Sequence, residues 1–170
     1  MVDFDVVDLP DTDHVAEGET APDFTRPLVN EEFWEDAALS DLTDEGPVCL
    51  VFYPMDGSFP ATYIWNELRD RDLGDLLTVV GVSISTPYAH KRLIEERGMD
   101  FDLFADPGNG VARDYGVAND LDGMAGIEEA RPATFLLDGD RTVRYAWVAE
   151  EWPDFPPYDD LEDEIRTLVD

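Results

Sequence analysis

Between Val48 and Tyr53 the chain is apolar at every position, so a strand built there has two apolar faces. Such a segment suits a central strand covered by helices on both sides. Pro54 stops it, Gly57 and Pro60 mark a loop, and Ala61 to about Asp72, rich in Leu, Glu and Arg, reads as a helix. Val79 to Ser85 predicts a second buried strand. Pro87 then opens a helix running to about Arg97, with Gly98 as its C-terminal stop.

Phe101 to Phe104 predicts a short strand, and Asn109 to Tyr115 a short helix ended by Gly116. Thr134 to Asp138 and Thr142 to Val148 read as paired strands with Gly139-Asp140 as the hairpin turn. From Asp159, Leu161, Ile165 and Leu168 recur at helical spacing with charges between them, an amphipathic closing helix. The early chain is less patterned. Ala21-Pro22-Asp23-Phe24 is extended because of its proline, and Glu31 to Asp41, with Phe33 and Trp34, predicts a short helix. Residues 1–17 are acidic with no sustained period, an N-terminal arm or strand ahead of one domain over 18–170. Strands alternating with helices, then a hairpin and a last helix, describe an α/β sandwich with a mixed central sheet flanked by helices.

Charge changes this picture most. At 170 residues the chain is the size of one domain, and its 44% hydrophobic content is close to the globular norm, so the core has not been given up. Yet 41 Asp and Glu face only 11 Lys and Arg, a formal charge of −30 spread along the whole sequence. That surface repels a phosphate backbone, which argues against nucleic-acid partners. It also opposes compaction until salt screens it, the Debye length falling to about 3 Å at molar salt. This reads as the protein of a salt-in halophile. Apolar runs are only a few residues long and the first twenty residues carry acids where a secretory signal needs bases, so no membrane partner and a cytoplasmic location are expected. One cysteine, Cys49, allows no internal disulfide, and His14 and His90 are far apart, so neither a metal nor another cofactor is expected.

Several segments, in order and at consistent spacing over about 150 residues, carry a family resemblance. They are Gly18 to Phe24, Phe52-Tyr53-Pro54 followed by Ser58, Val80 to Ser83, Ala89-His90-Lys91, Ala105-Asp106-Pro107, Tyr115-Gly116-Val117 and Thr134 to Asp138. Together they resemble the peroxiredoxin family, the alkyl hydroperoxide reductase and thiol-specific antioxidant group of thioredoxin-like proteins. The resemblance implies a thioredoxin-like (peroxiredoxin) sandwich over 18–170. It also implies a site where a loop proline and a hydroxyl precede a peroxide-attacking cysteine on the first turn of a helix. There the helix dipole and an arginine favour thiolate, which attacks peroxide to give a sulfenic acid. On this pattern Pro54 matches the proline, Ser58 the hydroxyl, and Ala61 stands where the cysteine belongs. The family arginine falls on Pro132, with Arg131 one place earlier. Pro132 is also similar in position to the cis-proline of thioredoxin-like proteins. Tyr63-Ile64-Trp65 makes the helix start apolar, where the family commonly has polar or acidic residues.

The vestigial site is therefore Pro54, Ser58, Ala61 and Arg131, with no intact nucleophile. Cys49 is read either as a small packing residue, its apolar neighbours raising its pKa, or as a displaced redox centre. Met55, Phe59, Tyr63 and Trp65 either line an apolar pocket or pack the loop, and Ser58 either binds a peroxide oxygen or holds a loop hydrogen bond. His90 is expected on a solvated helix face, and Trp152 to Tyr158 as a connector over the core or a recognition strip. Three functions follow. The first is a retired peroxiredoxin-like protein acting by binding or scaffolding, as a homodimer or with a redox-protein partner. The second is an active thiol-dependent peroxidase using Cys49 and an external thiol. The third is a binder of a small apolar or carboxylated ligand in the old peroxide pocket, anchored by Ser58 and Arg131.

Overall fold

The computed structural model describes residues 6–120 and 124–170. In chain order the elements are β1 (Val7–Asp8), β2 (Thr25–Val29), β3 (Trp34–Ala38), α1 (Leu39–Thr43), β4 (Val48–Phe52), α2 (Phe59–Asp70), β5 (Thr78–Ser83) and α3 (Pro87–Arg97). They continue with β6 (Asp102–Ala105), α4 (Gly110–Tyr115), β7 (Ala118–Asn119), β8 (Glu129–Ala130), β9 (Ala133–Leu137), β10 (Val143–Val148), β11 (Glu151–Trp152) and α5 (Tyr158–Val169). Seven strands form one sheet in the order β10-β9-β4-β5-β6-β2-β3. The β4, β5 and β6 neighbours are parallel and the remaining pairs antiparallel, the mixed α/β sandwich expected.

Period-two alternation divides the core between the two faces of this sheet. From β4, Cys49, Val51 and then Tyr53 join the cluster made with α2, α3 and α5, including Ile64, Trp65, Leu93, Leu161 and Ile165. Val48, Leu50 and Phe52 point the other way, into a cluster with Phe24, Val111, Tyr115 and Phe135. Each fully buried large side chain contributes roughly 1.5–3 kcal/mol by leaving water. Gly81 on β5 makes the α2 packing possible. A Cβ there would lie 2.5 Å from the Trp65 ring and 2.6 Å from Leu103.

Sequence and structure differ most near the N-terminus. Glu31 to Asp41 is not a helix. The Asn30 side chain accepts from the backbone N–H of Glu32 and of Phe33, closing a turn that sends Trp34–Ala38 back along β2 as the edge strand of the sheet. Sheet pairing outweighs the local helical preference there, and helix begins only at Leu39. In the acidic arm, residues 1–5 lie outside the described part, and Val7 and Asp8 pair with Trp152 and Glu151. The hairpin turn lies where it was expected, its backbone closed by Arg141 N–H on the Asp138 carbonyl, with Arg141 itself at φ 60°. Gly98, at φ 58°, ends α3 in the left-handed conformation that glycine adopts without strain.

Candidate functional site

The loop after β4 is held by its own polar groups. Ser58 is the N-cap of α2: its hydroxyl oxygen accepts from Ala61 N–H at 3.4 Å, while the hydroxyl donates to the Met55 carbonyl at 2.7 Å. Both roles of the hydroxyl are thus taken up locally. Pro60 lies in the first turn, where its missing N–H is no loss. Ala61 follows on that turn and is wholly buried (0% exposed). Ala61, Ile64, Trp65 and Leu68 recur at the spacing of one helix face, and all four belong to the same core cluster.

This periodicity explains the apolar helix start. Ile64 and Trp65 face inward, with Trp65 edge-on to Tyr53 at 5.4 Å between ring centroids. Tyr63 faces outward and forms a surface cluster with Phe59 and Phe155, all three ring pairs within 5.9 Å. The four hydrophobic residues considered around this loop therefore do not act together. Trp65 is core, Phe59 and Tyr63 belong to the surface cluster, and Met55 is half-buried, its carbonyl held by Ser58.

Behind the loop lies a polar cluster not anticipated from the sequence. Tyr53 Oη donates to Asp56 Oδ1 at 2.6 Å, and His90 Nδ1 lies 2.7 Å from Asp56 Oδ2. The other ring nitrogen, His90 Nε2, sits 3.0 Å from the Phe104 carbonyl. A carbonyl only accepts, so Nε2 carries a proton. Nδ1 faces the Asp56 carboxyl at hydrogen-bond distance, so both ring nitrogens have buried partners. The Asp56 N–H donates to Ser85 Oγ, which ties the loop to the end of β5. His90 is thus buried rather than solvated as expected: it lies on the face of α3 turned to the sheet, where Asp56 satisfies it. The Tyr53 phenol is pushed well above its ordinary pKa by burial and then by the Asp56 charge. The sequence offered only one hint, a lone acid in a loop between apolar segments.

Arg131 does not join this group. Its N–H pairs with the Val117 carbonyl, and its Nη1 donates to the Ala149 carbonyl at 3.0 Å. The side chain lines a cavity with Asp8 to Thr12, His14 and Val148 to Glu151. His14 in that cavity packs edge-on to Phe135, on the sheet face opposite Ala61. Pro54, Ser58 and Ala61 are neighbours, whereas Arg131 faces elsewhere. Side chains alternate across a strand, and one residue of offset reverses the face. Pro132 does not supply a cis bond, since among the described residues the cis peptide is Trp152-Pro153.

Cys49, the single thiol, lies four residues before Tyr53, roughly 13 Å along the strand. It is 0% exposed, and burial pushes its pKa up to about 12. Among the described residues no group of three metal-ligating side chains converges, and no helix is long and apolar enough to cross a membrane.

Comparison with known proteins places this architecture. The model of the AhpC/TSA family matches residues 18–146. The chain belongs to that family. Peroxiredoxin Q of Gentiana triflora is 26% identical over 159 residues, covering 91% of this chain and 67% of that protein. A putative peroxiredoxin of Mycobacterium tuberculosis is 30% identical over 129 residues, covering 74% of this chain and 80% of the other. Among solved structures, peroxidoxin BcpB from Mycobacterium tuberculosis superposes with a TM-score of 0.74 at 26% identity, over 91% of this chain and 97% of that one. Enterococcus faecalis AhpC matches the fold at a TM-score of 0.75 and 20% identity, over 89% and 90%. The chain is thus a thioredoxin-like member of the peroxiredoxin antioxidant oxidoreductases.

Proposed function

We propose that this peroxiredoxin-family chain has lost thiol peroxidase activity and acts by binding or scaffolding. The observation that carries the reading is the residue at the α2 N-terminus. Ala61 has no nucleophile, and its methyl group is sealed into the core. Peroxide reduction needs an accessible thiolate to take one peroxide oxygen and release the other as water or alcohol. Cys49 supports neither requirement, because its burial favours neutral thiol and excludes peroxide. The Ser58 hydroxyl, held by Met55 and Ala61, and the engagement of the Arg131 side chain with the Ala149 carbonyl in a separate cavity argue in the same direction.

The test is peroxide consumption with excess dithiol, at a salt concentration that keeps the chain folded. The wild type and Cys49→Ala should match the uncatalysed rate. Turnover by the wild type that disappears in Cys49→Ala would establish the peroxidase reading instead. In Ala61→Cys, peroxide should add one oxygen to the new thiol faster than to Cys49, as read by intact mass. The N-terminal turn of α2 still favours thiolate there. Burial of the site holds the rate below that of an exposed low-pKa thiol.

The binding reading is compatible with a homodimer, in which the surface cluster of Phe59, Tyr63 and Phe155 would be a contact. Sedimentation of the wild type against Tyr63→Glu tests it, and an unchanged mass would remove that contact from consideration. The formal charge of −30 further supports a protein that works in concentrated salt. Its melting temperature should climb through a potassium chloride series, and a level or falling trend would count against this.

A further inference from the structure

The cavity beside Arg131 has a volume of about 550 Å³, within the ordinary range of small-molecule pockets. Leu9 N–H pairs with the Glu150 carbonyl and so closes the N-terminal arm over one side of it. Arg131 is 3% exposed, yet its Nε has no hydrogen-bond partner. Its guanidinium has five N–H donors, and the hydrogen bond it makes is to one backbone carbonyl. Among the described residues no salt bridge reaches it. Burial without a counter-charge lowers its pKa.

A buried guanidinium with idle donors matches a carboxylate, which accepts two parallel N–H bonds. A bare anion would nevertheless be repelled here, because Asp8, Asp11, Glu150 and Glu151 also line the cavity. All four are exposed, and none is in a salt bridge among the described residues. A bare cation would be repelled by Arg131. One buried positive charge and several rim carboxylates therefore select a ligand carrying both signs a short distance apart. We propose that this cavity binds a small ammonium carboxylate zwitterion, the chemistry of a free amino acid, with its carboxylate on Arg131 and its ammonium among the rim carboxylates. The site lies across the sheet from Ala61, so it stands whether or not the chain reduces peroxide.

Three probes separate the contributions: L-alanine, propionate, which lacks the ammonium, and ethylamine, which lacks the carboxylate. Binding is measured by ligand-observed NMR on the full chain, at the lowest potassium chloride concentration that keeps it folded, because salt screens the rim. Alanine should bind roughly tenfold tighter than either fragment, a gain typical of one added charge-assisted contact. Arg131→Met should abolish alanine binding. Glu150→Gln should weaken alanine several-fold while leaving propionate level or tighter. That exposed substitution also keeps the test decisive if Arg131→Met does not fold. Equal affinity for alanine and propionate, alanine binding unchanged in a folded Arg131→Met, or no binding of any probe to the folded wild type would each overturn the proposal.

Discussion

The turn that begins α2 and the cavity at Arg131 sit on opposite faces of the same sheet, and they treat their polar groups differently. In the loop that leads into α2 the polar side chains have local partners: Ser58 caps the helix, Asp56 joins Tyr53 and His90, and Ser85 takes the Asp56 N–H. At Arg131 a buried cation has one backbone carbonyl and a Nε with no partner. Internal satisfaction rigidifies a region and leaves nothing for a ligand. Incomplete satisfaction costs stability and leaves a vacancy that a ligand can fill. Where the family resemblance directs attention, the polar chemistry is consumed in holding the fold. Where it does not, donors are spare.

Removing the centre of the satisfied cluster should produce the largest effect. His90→Ala would leave Asp56 Oδ2 and the Phe104 carbonyl without their buried partner and open a cavity beside Phe104. It should cost about 3–5 kcal/mol in urea unfolding. A loss under about 1 kcal/mol would show that the cluster is not the clamp described here.

Alkaline titration comes next, acting on the core behind the same loop. The Cys49 pKa is raised from 9.0 to about 12 in the folded chain, so its contribution to stability is complete below pH 9.0. As pH rises from there, the unfolded thiol ionises while the folded one does not, and stability falls until about pH 12. The raised Tyr53 phenol acts in the same sense at higher pH. Unfolding free energies should decline with pH over this window, and less steeply in Cys49→Ala. Equal slopes would mean that the thiol is reached by water.

Ser58→Ala removes the cap from α2 and should cost about 1 kcal/mol. A stability unchanged by the substitution would release Ser58 from its structural role and restore it as a candidate for binding oxygen.

Arg131→Met sharpens the contrast through a small effect. Replacing an incompletely paired buried cation with an apolar chain of similar length should leave stability within about 1 kcal/mol of the wild type, or raise it. A loss of several kcal/mol would show that Arg131 is as fully satisfied as His90.

The sequence by itself determined the elements whose signals are local and strong. The two-sided apolar runs became β4 and β5, Pro87 and Gly98 bounded α3, and the spacing of Leu161 and Ile165 formed α5. Motif order also carried the family, and Ala61 could be placed on the first turn of a helix because loop length and capping are local properties. Only the tertiary structure decided which side of the sheet each polar residue serves. Trp34–Ala38 became an edge strand because β2 was there to pair with it. His90 became buried because Asp56, thirty-four residues away in sequence, folded against it. Arg131 and Ala61 were separated because the Arg131 side chain turns to the Ala149 carbonyl and the N-terminal arm, partners that only the folded chain brings to it. Linear order does not reveal which face a loop will cover, since that depends on contacts made only when distant segments meet.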